Sequence, residues 1–251
     1  MENNRFPREV SLCLSGGGAR GAFHLGAISV LEENGIKIKA ISGTSIGALI
    51  GASLACGKTS QEIYDVLKSQ EFRNIFQIQL RKTHLLKLDA QAEIINKIID
   101  KDSFEELDIP LSISVCDMKS EQIKHYNTGK NFRALVLASC SIVPLFQPVS
   151  LDDMLLVDGG VIDNFPVEQL KKYDYPILGI NLYFRFSMNP SSLLGWLKKI
   201  IYVAWQAHNT QKEDLCDIYL CSSDISQLSA FSFKDIQKAY ELGRYEMKKR
   251  V

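Results

Sequence analysis

EVSLCLSGGGARG, residues 9–21, places a short apolar run directly before a glycine turn. A six-residue run ended by glycines is too short for a helix and reads as a buried strand. Behind the turn, Phe23, Leu25, Ala27, Ile28, Val30 and Leu31 recur at helical spacing from Ala22 to Asn34, and Asn34-Gly35 supplies a C-cap. The unit is therefore strand, glycine loop, helix. It recurs at once: Ile36–Ile41 reads as a second strand broken at Ser42-Gly43, and a small-residue helix begins near Ile46.

Outward from these two units the same alternation continues. Helical patterns fit Ser60–Ser69, Ala90–Asp100, Asn131–Ser139, Ser192–His208 and Phe233–Lys249. Strand-like runs fit Pro110–Asp117, Met154–Val157, Tyr175–Phe184 and Asp217–Cys221. Ile142–Pro148 reads as an irregular apolar loop with two prolines. Buried strands alternating with helices predict an α/β fold, a three-layer α/β/α arrangement around a mostly parallel central sheet. Its 251 residues suffice for one large domain, and no linker or low-complexity stretch divides 1–251.

Composition excludes more than it names. Apolar residues at 46% and charged residues at 23% fit a globular core and not a disordered or coiled-coil chain. Lys and Arg number 29 against 29 Asp and Glu, so no net field favours nucleic acid. The six cysteines form no CxxC pair, and neither they nor the four histidines cluster as metal ligands, so buried free thiols and no metal are expected. MENNRFPREV carries no basic-then-apolar leader pattern, which predicts a cytoplasmic location. Ala40–Gly57 is uncharged, with Gly43, Gly47 and Gly51 at four-residue spacing as on a membrane dimer face. It falls short of the ~20 apolar residues a span needs and carries Ser42, Thr44, Ser45 and Ser53, so a buried, tightly packed helix is the better reading.

Gly43-Thr44-Ser45-Ile46-Gly47 is a GxSxG between a predicted strand and a predicted helix. A nucleophile elbow needs its serine on a strained strand-to-helix turn, and glycines at 43 and 47 remove Cβ atoms where the chains pass closely. The pentapeptide alone could equally be a turn or an N-cap. A serine hydroxyl also needs a base within reach. His24 lies on the first helix, His84 and His125 precede the natural acid, and His208 falls in a helical pattern, so no histidine suits a triad. Asp158 ends a strand and is followed by Gly159 and Gly160, which allow close backbone approach; a plain Asp-Gly turn is its alternative. A carboxylate of pKa about 3.9 is a weak base and demands strong oxyanion stabilisation. SGGGARG suits that demand, with amides of Gly16, Gly17 and Gly18 and the cation of Arg20, although the same geometry could cradle a nucleotide phosphate.

Taken together, GGGARG at 16–21, GTSIG at 43–47 and DGG at 158–160 resemble the patatin-like phospholipase family, in order and in spacing. ASCSIVPLFQPV at 138–149 and DGGVIDNFPVEQL at 158–170 are similar to further segments of it, and the C-terminal stretch is similar to its small single-domain bacterial members. The resemblance implies a serine lipid acyl hydrolase with Ser45 as nucleophile and Asp158 as general base. It implies the Gly16–Gly18 amides with Arg20 as oxyanion stabilisers, and no cofactor. Partners implied are a lipid or acyl ester and a membrane surface touched peripherally. Ile142, Val143, Leu145, Phe146 and the Leu193–Trp205 helix offer apolar contact, and Ile75–Leu88 a lid. A soluble esterase or acyltransferase, or a nucleotide-binding regulatory module, are the competing readings.

Overall fold

The computed structural model describes residues 6–77, 93–143, 146–182, 212–230 and 232–251, with isolated positions between 191 and 203. Strand β1 (Glu9–Leu14) leads through a 3-10 turn at Gly18–Gly21 into helix α1 (Ala22–Glu33), and β2 (Lys37–Thr44) leads into α2 (Ile46–Ala55). Helices α3 (Ser60–Lys68), α4 (Gln70–Gln77) and the single turn α5 (Glu93–Asn96) follow. Then come β3 (Leu111–Asp117), β4 (Gln122–Tyr126), α6 (Phe132–Ser139), β5 (Val149–Leu151), β6 (Met154–Asp158), β7 (Ile177–Ile180), β8 (Ile218–Leu220) and α7 (Ile236–Lys248).

The strands form one sheet in the order β5-β6-β3-β2-β1-β7-β8, with β4 also paired to β3. From β8 to β3 every pairing is parallel; β4 and β6 join β3 antiparallel, and β5 joins β6 antiparallel. Alternation along β1 sends its side chains to two cores, as the period of two in a strand requires. Leu12 and Leu14 enter the large core shared with α1, α2, α3, α6 and α7. Cys13 enters a smaller one built from Ala40, Phe165, Val167, Leu170 and Ile177. Both faces of the parallel strands are thus covered, which is why β1 and the end of β2 read as continuous apolar or small-residue runs.

Local chemistry accounts for the boundaries. Gly35, at φ 65°, closes α1 in the left-handed region, where Gly35 N donates to Glu32 O and Ile36 N to Leu31 O. Thr59 and Glu62 form a reciprocal capping box at the start of α3. The uncharged 40–57 stretch divides into the end of β2, one residue of turn, and the buried helix α2. Among the described residues no helix is long and apolar enough to cross a membrane. All six cysteines are free thiols. The Ala90–Asp100 helix is shorter than its sequence pattern, with Glu93–Asn96 its helical part among the described residues. His84, His208, Leu145 and most of Ile75–Leu88 and Ser192–His208 lie outside the described residues.

Candidate active site

Strand β3 brings the two halves of the site together. On one side it pairs with β4 from Ile113 to Asp117. Its other side carries β2 as far as Thr44 opposite Ser114, and then β6 from Asp158 opposite Val115. Parallel β2 and antiparallel β6 therefore meet end to end along one edge of β3. The residue leaving β2 is Ser45, and the last residue of β6 is Asp158.

Ser45 stands alone between β2 and α2 at φ 56°, ψ −127°. A non-glycine residue there stores roughly 1–3 kcal/mol of backbone strain, held by its surroundings. The hold is visible: Ser45 N donates to Ser139 Oγ at 2.9 Å, and Ser139 Oγ donates to Ser114 O at 2.8 Å. The flanking glycines are sterically required. A Cβ on Gly43 would lie 2.6 Å from the Gly47 backbone, and one on Gly47 would strike the Leu14 and Ser15 carbonyl oxygens. Gly47→Ala is accordingly expected to destabilise the protein by about 1–3 kcal/mol, read as a lower denaturant midpoint at unchanged slope.

Asp158 is 4% exposed. Its Oδ1 accepts from Gly160 N at 2.7 Å, while Oδ2 is buried without a hydrogen-bond partner among the described residues. Burial raises the carboxyl from its ordinary 3.8 to about 7, against the downward pull of the Ser45 hydroxyl and the Gly160 amide. Ser45 thus stands beside the carboxyl without closing a full hydrogen bond to Oδ2. Gly159 and Gly160 start a 3-10 turn immediately after the aspartate.

The glycine loop lies against the serine: a Cβ on Gly16 would come within 3.1 Å of Ser45 Cβ. Gly16 N donates to Asn164 O at 3.2 Å, so this amide is already occupied. The Gly17 and Gly18 amides have no acceptor among the described residues. Arg20 is held from the C-terminal side. Its Nε donates to Leu228 O at 2.8 Å and its Nη2 to Ser226 O at 3.1 Å, which ties the guanidinium to C-terminal backbone. Its side chain anchors the loop by satisfying those carbonyls.

Neither described histidine hydrogen-bonds Ser45. His24 Nε2 pairs with Ser15 O at 2.9 Å, and burial lowers its pKa to about 4. His125 Nδ1 pairs with Ser114 Oγ at 2.9 Å, and burial holds its pKa down as well. Among the described residues no three His, Cys, Asp or Glu side chains converge as a metal cage. Chemically, a strained serine beside a buried carboxyl of near-neutral pKa, with the glycine loop against it, is equipped for acyl transfer.

The sequence profile of Patatin-like phospholipase matches residues 12–171, which span every element of this site up to the 3-10 turn at Val167–Leu170. The chain belongs to the patatin-like phospholipase family. Lysophospholipase NTE1 of Scheffersomyces stipitis is 30% identical to the patatin-like chain over 169 residues, which are 65% of this chain and 11% of that protein. An uncharacterised NTE family protein of Mycobacterium tuberculosis is 30% identical over 175 residues, 68% of this chain and 46% of the relative. The patatin-like chain thus spans less than half the length of these relatives. The crystal structure of VipD from Legionella pneumophila shares its fold at TM-score 0.57 and 15% identity, covering 97% of this chain and 67% of that one.

Sequence reading missed Ser139, Ser114 and Asn164 as parts of this patatin-like site. Asn164 lies inside the quoted 158–170 segment, where an Asx residue near a glycine turn was the available signal. Ser139 has no local signal, because its contact with Ser45 spans 94 residues.

Proposed function

We propose that the protein is a serine lipid acyl hydrolase in which Ser45 attacks an ester carbonyl and Asp158 is the general base. The observation that carries this reading is the end-to-end meeting of β2 and β6 on β3, which sets Ser45 beside a buried carboxyl of pKa about 7. A base poised there accepts a proton far better at neutral pH than an ordinary carboxylate. Asp158 takes the hydroxyl proton as Ser45 Oγ bonds to the carbonyl carbon, and the carbonyl oxygen becomes an oxyanion facing Gly17 N and Gly18 N. Collapse expels the alcohol, which leaves with the proton; water then adds to the acyl-enzyme as Asp158 takes its proton, and the second collapse breaks the Ser45 Oγ–acyl bond, returns that proton to Ser45 and releases the fatty acid. No cofactor enters these steps.

A lipid ester as substrate is supported by family membership and by the NTE1 relative, named a lysophospholipase. It is further supported by apolar side chains displayed around the aspartate: Val143 is 47% exposed and Val161 53%. Phe146, in the same loop as Val143, is buried and serves the packing instead. The protein works at the lipid surface from the aqueous side, as a peripheral partner of the membrane.

Incubation with lysophospholipid micelles and phospholipid vesicles is expected to release fatty acid. The kcat/KM is expected to rise with pH through an apparent pKa near 7, because the base must be unprotonated. Fast cleavage of short-chain soluble esters with no release from lipid would replace the reading by a soluble esterase. Transfer of the acyl group to an added alcohol in place of water would make it an acyltransferase. Nucleotide affinity without fluorophosphonate labelling of Ser45 would favour the regulatory module.

A further inference from the structure

The segment 212–230 lies beyond the residues matched by the family profile, yet it grips the site twice. At the glycine loop, Ala230 O accepts from Ala19 N at 2.8 Å, beside the Arg20 bonds to Ser226 O and Leu228 O. At the aspartate turn the contact is ionic. Lys212 Nζ lies 2.7 Å from Asp163 Oδ1 and 3.0 Å from Glu168 Oε2, and donates to Phe165 O at 3.1 Å.

Asp163 is the residue on which the two halves of the site converge. Its N donates to Gly159 O at 2.8 Å, closing the turn that follows Asp158. Its O accepts from Thr44 Oγ1 at 3.0 Å, next in sequence to Ser45. Its Oδ1 also accepts from Phe165 N at 3.1 Å. His125 Nε2 stands 3.9 Å from Oδ2, and the same ring continues through Ser114 Oγ. Asp163 is 8% exposed, so an unpaired charge there would be costly, and Lys212 is the cation that meets it.

We propose that Lys212 is a positioning residue: by pairing with Asp163 it fixes the backbone that ties the Ser45 elbow to the Asp158 turn. Lys212 touches neither reacting group. It acts on their separation, and a displacement of about 1 Å between reacting groups can cost on the order of 100-fold in rate. This inference rests on the Ser45–Asp158 reading above. It adds that a segment outside the family-matched region completes the geometry.

The test compares Lys212→Met, Lys212→Arg and the control Lys58→Met, which removes the Lys58–Asp100 ion pair of 2.7 Å at the far end of α2. In lysophospholipid hydrolysis, Lys212→Met is expected to lower kcat about 10- to 100-fold with KM within about twofold, by misplacing the pair. Fluorophosphonate labelling of Ser45 should slow in parallel. Lys212→Arg should recover most of the loss, and Lys58→Met should match wild type. Amide exchange gives a readout independent of hydrolysis: protection of the Asp163 amide, which donates to Gly159 O, should fall in Lys212→Met and hold in Lys58→Met. Unchanged Asp163 protection would overturn the inference even in a protein that hydrolyses nothing. So would an undiminished kcat per folded molecule in an enzyme whose wild type is active. Absence of wild-type hydrolysis and of Ser45 labelling would instead defeat the functional reading alone.

Discussion

Ser45→Ala is expected to lower lipid ester hydrolysis by about 10,000-fold or more, to the rate left by binding and oxyanion contacts alone. The loss follows from position as much as from chemistry. Ser45 is 5% exposed, beside a carboxyl and against the glycine loop, so its hydroxyl is held where the reacting oxygen must be. Alanine keeps the Cβ and hence the strain of φ 56°, and the Ser45 amide keeps its bond to Ser139 Oγ. The variant should therefore fold with nearly wild-type stability. Ser45→Gly offers a contrast: it removes the nucleophile and the strain together, and should gain about 1 kcal/mol while remaining inactive. Mass spectrometry after fluorophosphonate treatment should find the wild-type adduct on Ser45 and none in either variant. Residual activity above about one hundredth of wild type in Ser45→Ala would place the nucleophile elsewhere.

The elements that decided the fold were readable because their signals are local. Glu9–Leu14 before three glycines, and a GxSxG with its strand and helix, carry their own geometry within a dozen residues. The second strand, expected to break at Ser42-Gly43, runs on to Thr44, since pairing with Ser114 across the sheet outweighs the low strand propensity of glycine. Strands β4 and β5 went unread for the opposite reason. Gln122–Tyr126 is a half-exposed edge strand with polar residues interleaved, and Val149–Leu151 is three residues long, so neither has an apolar run to detect. In the site, Gly43, Gly47 and Asp158 were legible because turn and elbow chemistry restricts residue type. The anchoring of Arg20 was not legible, because its Nε and Nη2 donate to carbonyl oxygens 208 and 206 residues away in sequence. Ser139, Asp163 and Lys212 were silent for the same physical cause, since tertiary contacts over 94 and 49 residues leave no periodicity behind.

Asp158→Asn should separate function from stability. Loss of the general base is expected to lower kcat about 100- to 10,000-fold, since the amide cannot take the serine proton. The same change removes a buried charge. Wild-type Asp158 has a folded-state pKa near 7 against an ordinary 3.8, so the folded protein holds the proton more tightly than the unfolded chain. Its contribution to stability is full below about pH 4 and is lost as pH rises through about 7, at most about 4 kcal/mol from 1.36 kcal/mol per pKa unit. Asparagine does not titrate, and its Oδ1 can keep the 2.7 Å bond from Gly160 N while its amide group faces the Ser45 hydroxyl. The variant should therefore be more stable than wild type at pH 8, with the gap closing towards pH 4, as read from denaturant midpoints across that range. An Asp158→Asn protein that is inactive and also less stable at pH 8 would mean that the carboxylate is compensated in the folded state. A base with a depressed pKa would then stand in place of the near-neutral one on which the proposed mechanism depends.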